Sequence, residues 1–206
     1  YLAAAPTGSD SNNCSQNSPC LTWEKGLNTL FASNAPANGR RLLLRRGDTF
    51  NVVVGTNATS GKVGPFYIGA YGSGAMPHVV QPNGKHGIDS TQGSGNSDWR
   101  IENIKFSGGG SRPNLIIQAD KFLLRGLDVG GGTVCMSLDG IDYLVTGNKI
   151  SPCPNYNIFA MGGAYTGAEK SVSRRAYVAN DSTTDASIHR VSLHHGVFAY
   201  NKFTAL

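Results

Sequence analysis

The sequence predicts an all-β solenoid, a chain wound into stacked coils of short strands, and its composition is the first indication. The 206 residues include 27 glycines, and only 15% are charged, against roughly 25% in an average globular protein. Amphipathic stretches of helix-forming residues are scarce, while short apolar runs alternate with Gly, Asn and Ser, as in strands joined by tight turns. The 39% hydrophobic residues are spread along the chain, which indicates a packed core rather than disorder.

A repeat that begins at Trp99 is the second indication. Residues 99–106 (WRIENIKF), 122–129 (FLLRGLDV) and 143–150 (YLVTGNKI) each start with an aromatic residue, continue with apolar alternation and carry Asn or Gly at the fifth position. The starts lie 23 and then 21 residues apart, and residues 197–203 form a fourth copy. Such a period, with Gly-rich corners between copies, is typical of a solenoid in which neighbouring coils share one core.

The repeat also predicts the location and the contacts of particular side chains. Trp99 and Tyr143 share a repeat position, so we expect both rings to stack inside the solenoid. Asn at a repeated corner suits left-handed backbone geometry, and its side-chain amide can bond to a neighbouring coil. Leucine-rich repeats have a similar period, but their Leu/Asn pattern is missing. A β-sandwich is the other alternative, favoured by the short strands but not by the repeat.

The first part of the chain predicts a cap followed by strands. Trp23, Leu27, Leu30 and Phe31 recur at helical spacing, and Pro19 is acceptable near a helix start. Residues 40–48 (RRLLLRRGD) and 66–71 (FYIGAY) predict the first strands. We therefore predict a single domain, with a helical cap over residues 1–38 and coils over residues 39–206.

Four cysteines suggest two local disulfides. Cys14 and Cys20 flank a short polar loop, and Cys135 and Cys153 lie about one coil apart, so each couple can pair locally. Free thiols or zinc are the alternatives, but no CxxC spacing or nearby His pair supports a metal. Disulfides favour an oxidising compartment, so we predict a secreted, extracellular or periplasmic protein. The sequence contains no apolar run of about 18 residues, so it predicts no membrane span.

The net charge of +5, with an isoelectric point near 9.1, suits an acidic polysaccharide, a nucleic acid or an anionic surface. A solvated basic surface without a partner is the equally simple alternative. Lys and Arg are scattered except at Arg40, Arg41, Arg45, Arg46 and the pair Arg174 and Arg175. No nucleic-acid-binding motif is visible, so we do not expect a nucleic acid.

Several segments resemble a known group of proteins. Residues 6–11 (PTGSDS), the predicted capping helix, residues 46–50 (RGDTF) and residues 68–74 (IGAYGSG) look like the pectate-lyase-like superfamily of right-handed parallel β-helices, and the resemblance covers most of the chain. It implies a right-handed parallel β-helix with a short N-terminal capping helix. It leaves the activity open, because the group includes polysaccharide lyases, glycoside hydrolases, epimerases, adhesins and structural proteins.

The resemblance suggests a calcium site. Lyases of this group hold Ca²⁺ with Asp or Glu beside an Arg or Lys base, which requires clustered carboxylates. Asp128, Asp139 and Asp142 occur at similar phases of adjacent coils and are the expected ligands. Turn formation is the alternative role of these residues, since Asp139-Gly140 is an ordinary turn signal.

The polar stretch of residues 169–195 separates the third and fourth repeat copies, so we expect part of it to form a loop leaving the coils. Binding and catalytic residues concentrate on such loops, although a solvated loop without a task is the alternative. The candidate catalytic residues are Lys170, Arg174, Arg175, Asp181, His194 and His195. The candidate substrate-binding residues are Tyr165, Asp185, His189 and Arg190. Residues 180–182 and 194–196 resemble fragments of the hydrolase pattern, but the Asp-Asp pair and the Arg-x-Lys element are absent.

Two functions from different classes follow. The first is a secreted carbohydrate-active protein that binds or cleaves an acidic polysaccharide, with exposed tyrosines such as Tyr67, Tyr71, Tyr156 and Tyr177 available to stack on sugar rings. The second is a non-catalytic extracellular structural protein. Because the sequence stops soon after a repeat strand, residues 197–206 predict an open end through which copies stack into fibres.

Overall fold

The computed structural model describes residues 1–53, 61–90, 95–151 and 153, together with the backbone of seven short strands between residues 156 and 204. Helix α1 (Trp23–Leu30) begins after Thr22, whose hydroxyl accepts a hydrogen bond from the backbone N–H of Lys25. This is an ordinary N-cap. Trp23, Leu27 and Leu30 are buried on one side of α1, so the predicted helix is confirmed.

Parallel strands build the rest of the described fold. Sheet A contains β1 (Arg40–Arg45), β3 (Val63–Tyr71), β6 (Ser97–Glu102), β9 (Leu123–Arg125), β12 (Leu144–Thr146), β16 (Tyr177–Ala179) and β19 (Val197–Ala199), in that order. Sheet B contains β2 (Thr49–Asn51), β4 (His78–Gln81), β7 (Lys105–Gly108), β10 (Asp128–Gly130), β13 (Lys149–Ile150), β17 (Ser182–Thr184) and β20 (Lys202–Thr204).

Two smaller parallel sheets complete this arrangement. Sheet C contains β5 (Ile88–Asp89), β8 (Leu115–Gln118), β11 (Val134–Asp139) and β14 (Tyr156–Ala160), and sheet D pairs β15 (Ser173–Arg174) with β18 (Leu193–His194). The chain thus returns to sheets A and B once per turn and adds a parallel strand each time. Mostly β structure, parallel pairing and, among the described residues, one short helix give a β-helix-like fold.

The backbone explains the fifth position of the repeat. This position is left-handed in each of the three described copies, with φ of 57° at Asn103, 63° at Gly126 and 66° at Gly147. Gly adopts this conformation freely and Asn more readily than other residues. The residue before each copy is also left-handed, namely Asp98, Lys121 and Asp142. Each short strand of these copies is therefore bounded by two sharp corners.

The aromatic residues at the first repeat position lie in the core. Trp99 and Tyr143 are only 1% and 2% exposed. The ring of Phe122 stacks on Tyr143 with 4.3 Å between centroids and 11° between planes, and Phe31 stacks on Trp99 at 4.8 Å. The predicted internal stacking is confirmed, and Phe31, just after α1, links the cap to the coils.

Buried asparagines tie adjacent coils together. The side chain of Asn148 accepts a hydrogen bond from the backbone N–H of Leu127 at 2.9 Å and donates to the carbonyl of Leu124 at 3.3 Å. The side-chain oxygen of Asn114 likewise accepts from the backbone N–H of Gly132 at 3.1 Å. These bonds satisfy backbone groups that would otherwise be costly inside the core. Asn148 is the sixth residue of its copy and Asn114 lies between two copies, so the bond predicted for an asparagine at the repeated corner stays a prediction.

The four cysteines pair locally, as predicted. Cys14 and Cys20 have Cα atoms 4.6 Å apart, and Cys135 and Cys153 have Cα atoms 5.6 Å apart, both joined as disulfides. These separations lie in the range that a disulfide requires. Over the part of the chain that the structure describes, no helix is long and apolar enough to cross a membrane.

The stretch between the third and fourth repeat copies, part of which is predicted to form a loop, also contains strands. Strand β16 pairs with β12 and β17 pairs with β13, so the chain completes another coil within this stretch. Tyr177 aligns with Leu144, the second repeat position, rather than with the aromatic first position. This shift hides the copy in the sequence, because its aromatic residue does not stand at the first repeat position.

Candidate functional site

The outward face of sheet A carries a row of basic and aromatic side chains. Arg41 on β1 is the register partner of Tyr67 on β3, and Tyr67 is the partner of Arg100 on β6. Leu42 and Leu44, which flank the outward positions of β1, point into the core, as strand alternation requires. Parallel strands lie about 4.8 Å apart, so these three side chains form one continuous row.

A groove of about 400 Å³ runs beside this row. Its described lining includes three arginines and no carboxylate: Asn38, Gly39, Arg40, Arg41, Leu43, Pro65, Tyr67 and Arg100. Gly39 has φ of 81°, and a Cβ atom there would lie 2.8 Å from the carbonyl oxygen of Pro65. A glycine is therefore needed where the chain enters β1 beside the groove. We call the groove together with Glu102 and Arg125 the cationic groove.

Tyr67 lies flat across the sheet because Gly69, two residues further along β3, has no side chain. A Cβ atom on Gly69 would come within 2.5 Å of both Cε1 and Oη of Tyr67, closer than real side chains approach. The ring thus occupies the space above Gly69 and stays half-buried, with part of its surface open to solvent. This arrangement holds an aromatic ring against the floor of the cationic groove.

An ion pair lies next to the ring. Arg125 Nη2 on β9 donates to Glu102 Oε2 on β6 at 2.7 Å. The Glu102 side chain is only 8% exposed, whereas that of Arg125 is 58% exposed. Burial raises the pKa of the Tyr67 hydroxyl and the charge of Glu102 raises it further, while Arg125 and Arg41 act in the opposite direction. Tyr67 therefore stays neutral at physiological pH and offers a hydrogen-bonding hydroxyl.

The chemistry of this face suits a particular kind of ligand. Guanidinium groups bind carboxylates and other planar anions through paired hydrogen bonds. An aromatic ring held flat offers its face to another flat, weakly polar surface. Arg100 is also paired with Asp98 at 2.8 Å, but its side chain is 48% exposed, so it stays accessible to a second carboxylate. The cationic groove therefore combines exposed guanidinium groups with a flat aromatic face.

The carboxylates expected to bind calcium do not meet in the structure. Asp128 lies on sheet B, where its register partners are Lys105 and Lys149. Asp139 ends β11 on sheet C, and Asp142 occupies the left-handed corner before β12. No group of three or more His, Cys, Asp or Glu residues suited to a metal occurs within the described ranges. These residues do not fit a shared calcium ion.

The candidate catalytic residues fall mostly beyond the described ranges. Arg174 on β15 and His194 on β18 are direct register partners in sheet D, so the backbone brings these two positions together on adjacent strands. The remaining candidates lie outside the described residues: Lys170, Arg175, Asp181, His195, Tyr165, Asp185, His189 and Arg190. Their assignment as catalytic or substrate-binding residues stays a prediction.

Sequence reasoning singled out Tyr67 and the basic pair Arg40 and Arg41, but it missed Arg100, Glu102 and Arg125. The signal was present in the repeat itself. Positions two and four of each copy face outward, and these are the positions that Arg100, Glu102 and Arg125 occupy. Reading the outward positions down successive copies would have revealed a charged row next to the basic β1.

Comparison with known proteins identifies the fold. No protein-family description and no curated protein sequence matches the chain. Two crystal structures of GH136 lacto-N-biosidase from Eubacterium ramulus are similar, each with a TM-score of 0.65. The selenomethionine derivative is 15% identical over 90% of this chain, and the native protein is 17% identical over 89%. The match spans 41% of the length of each of those proteins, and it shows that this chain shares their β-helix-like fold.

Proposed function

We propose that this chain is a secreted, carbohydrate-active right-handed parallel β-helix of the pectate-lyase-like type that binds an acidic polysaccharide in the cationic groove. The observation that carries the proposal is the register row of Arg41, Tyr67 and Arg100. The fold likeness to a lacto-N-biosidase supports a carbohydrate ligand. The two disulfides support an oxidising, extracellular setting.

The groove favours an acidic over a neutral sugar chain. Arg40, Arg41 and Arg100 line it, and Arg125 adds a fourth, largely exposed guanidinium at its edge. A repeating carboxylate on a polysaccharide can meet Arg41, Arg100 and Arg125 one after another, and each charge-assisted hydrogen bond exceeds a neutral one in strength. The Arg40 guanidinium adds positive charge but already donates to groups at the end of α1. The ring of Tyr67 supplies a surface for the face of one sugar, so the groove recognises both the charge and the ring.

Binding rather than cleavage is the part of this function that the described face supports. The two carboxylates of β6, Asp98 and Glu102, are both paired with arginines. Such pairing occupies both carboxylates with hydrogen bonds from guanidinium groups, so neither is free to approach a substrate. Residues outside the cationic groove are the candidates for any cleavage activity, beginning with the Arg174 and His194 positions that sheet D brings together.

The test is a binding titration with polygalacturonate and with a neutral galactan of similar length, at low and high salt. Arg41→Gln and Arg100→Gln are each expected to weaken polygalacturonate binding about tenfold, since one exposed charge-assisted contact is worth about 1.4 kcal/mol. Arg112→Gln is the matched control, because Arg112 is exposed in the turn between β7 and β8.

Salt should weaken the interaction, because exposed charges are screened. Equal binding of the neutral galactan, or unchanged binding by both groove variants at low salt, would overturn the proposal. Absorbance at 235 nm, recorded in the same samples, reports the unsaturated product of a lyase and so separates cleavage from binding.

A further inference from the structure

Sheet B carries a serine and a histidine that are hydrogen-bonded to each other on its outward face. His78 lies on β4 and Ser107 on β7, and His78 Nε2 is 2.6 Å from Ser107 Oγ. Both residues are half-buried, whereas Val79 and Phe106, which adjoin them in their strands, are fully buried in the core. Strand alternation therefore directs His78 and Ser107 outward, where a ligand can reach them.

The register between β4 and β7 holds this pair in place. His78 is opposite Lys105, and Val80 is opposite Ser107. The imidazole thus reaches diagonally from its own position to the serine that follows Lys105 by two residues. Because both side chains stand on paired strands rather than on loops, they need little reorganisation before they react.

The surroundings of His78 favour its neutral form. Burial and the ammonium group of Lys105 lower the pKa of the imidazole below its ordinary value, and the carboxylate of Asp128 has a smaller effect in the opposite direction. Lys105 is on β7 and Asp128 on β10, so these charges come from neighbouring strands. A neutral imidazole can accept the hydroxyl proton of a serine, which a pair of nucleophile and base requires.

The neighbours of Ser107 suit a small acyl group. Val80 lies on one side and Gly130 on the other, both as register partners. Val80 is half-buried and offers its methyl groups to a ligand, while Gly130 places no side chain over the serine hydroxyl. Lys105 stands two residues before Ser107 and brings a positive charge to the same face. Such a charge can stabilise an oxyanion that forms beside the serine.

We propose that Ser107 and His78 form an acyl-transfer site for esters of short carboxylic acids, separate from the cationic groove on sheet A. Ser107 Oγ attacks the ester carbonyl carbon, and its proton passes to His78 Nε2. The bond from that carbon to the alcohol oxygen then breaks, and the alcohol leaves with the proton from His78. Water completes the reaction: its oxygen bonds to the acyl carbon, its proton passes to His78, and the carboxylic acid is released as Ser107 regains the proton.

The test treats the intact protein with p-nitrophenyl acetate and locates the acetyl group by peptide mass spectrometry. The native protein should release nitrophenolate in a burst, carry the acetyl group on Ser107 and then release acetate slowly. Ser107→Ala should remove both the burst and the label at this position. Ser111→Ala is the matched control, because Ser111 is exposed in the turn after β7, and it should leave both unchanged.

His78→Gln should slow acetylation of Ser107 about a hundredfold or more, since a positioned general base contributes about 10²- to 10⁴-fold. His86→Gln is the matched control, because His86 bonds to the carbonyl of Pro113 at 3.0 Å and has no part in the reaction. The native rate should rise as the pH passes upward through the pKa of His78, and His78→Gln should lack this dependence.

Val80→Thr supplies a second variant that keeps the shape of the side chain. It should slow acetylation about fourfold, because it removes apolar contact equivalent to about one methyl group. Thermal melting checks that this variant and His78→Gln are folded.

Three results would overturn the inference. Acetyl groups confined to lysines or the terminal amine of the native protein would mean that Ser107 is not a nucleophile. Equal labelling of Ser107 in the native protein and in folded His78→Gln would mean that the imidazole is not its base. An acetyl group that stays on Ser107 would remove the hydrolytic step. Polygalacturonate binding is unaffected by each of these results, so the proposed function is tested separately.

Discussion

Glu102→Gln offers a sharp test of the cationic groove, because it should lower the stability of the protein and raise its affinity for an acidic polymer. The Glu102 side chain is 8% exposed and accepts from Arg125 at 2.7 Å. A hydrogen bond to a charged group contributes about 1.5–3 kcal/mol, but Arg125 is 58% exposed and water replaces much of the interaction. We therefore expect the free energy of unfolding to fall by about 1 kcal/mol.

The affinity should change in the opposite direction. The substitution removes a negative charge from the groove and releases the Arg125 guanidinium. Two unit charges 4 Å apart in water interact by about 1 kcal/mol, so removing one repulsive charge should tighten polygalacturonate binding about fivefold. This gain should shrink at 1 M salt, where the screening length is about 3 Å.

Urea denaturation measures the first effect and calorimetric titration the second. Asp128→Asn is the matched control, because it makes the same charge change on sheet B, where Asp128 lies between Lys105 and Lys149. The control should leave the affinity nearly unchanged. Weaker binding by Glu102→Gln would refute the reasoning, since it would mean that Glu102 itself contacts the ligand.

Three further predictions concern the coils. Phe122→Ala should cost about 3–5 kcal/mol in urea denaturation, because the ring is buried against Tyr143 at 4.3 Å. Asn148→Ala should cost about 1–3 kcal/mol, since it leaves the buried N–H of Leu127 without its bond. Burial chiefly lowers the pKa of His78 below 6.5, so its stabilising contribution is present above that pH and is lost as the pH falls through the folded-state pKa. His78→Gln should flatten this acid dependence, as measured by melting temperature against pH.

Each of these predictions has a control and a contradicting result. Leu123→Ala removes an outward side chain and should lower the free energy of unfolding by much less than Phe122→Ala does. An equal loss in the two variants would contradict the inward stacking of Phe122. Asn148→Ser restores a small acceptor, and no difference from Asn148→Ala would argue against the Leu127 bond. An unchanged pH profile in His78→Gln would mean that other groups govern stability in acid.

Much of the fold was predictable from local pattern. The alternation within residues 99–106, 122–129 and 143–150 predicted which side chains are buried, because successive side chains of a strand face opposite sides. Asn103, Gly126 and Gly147 marked the corners, since few other residues adopt a left-handed backbone at low cost. The coil that contains β16 escaped detection, because Tyr177 stands one position later than the aromatic residues of the other copies.

The sequence by itself thus determined the repeat, the corners, the helical cap and the local pairing of the cysteines, all of which depend on residues close in the chain. Only the tertiary structure decided the candidate site. Arg41, Tyr67 and Arg100 are separated by 26 and 33 residues, and Glu102 and Arg125 by 23, yet they share one face. The register between coils brings them together. The packing of inward side chains sets that register across connections of variable length. For Arg41 and Tyr67, which precede the first repeat copy, no local pattern records it.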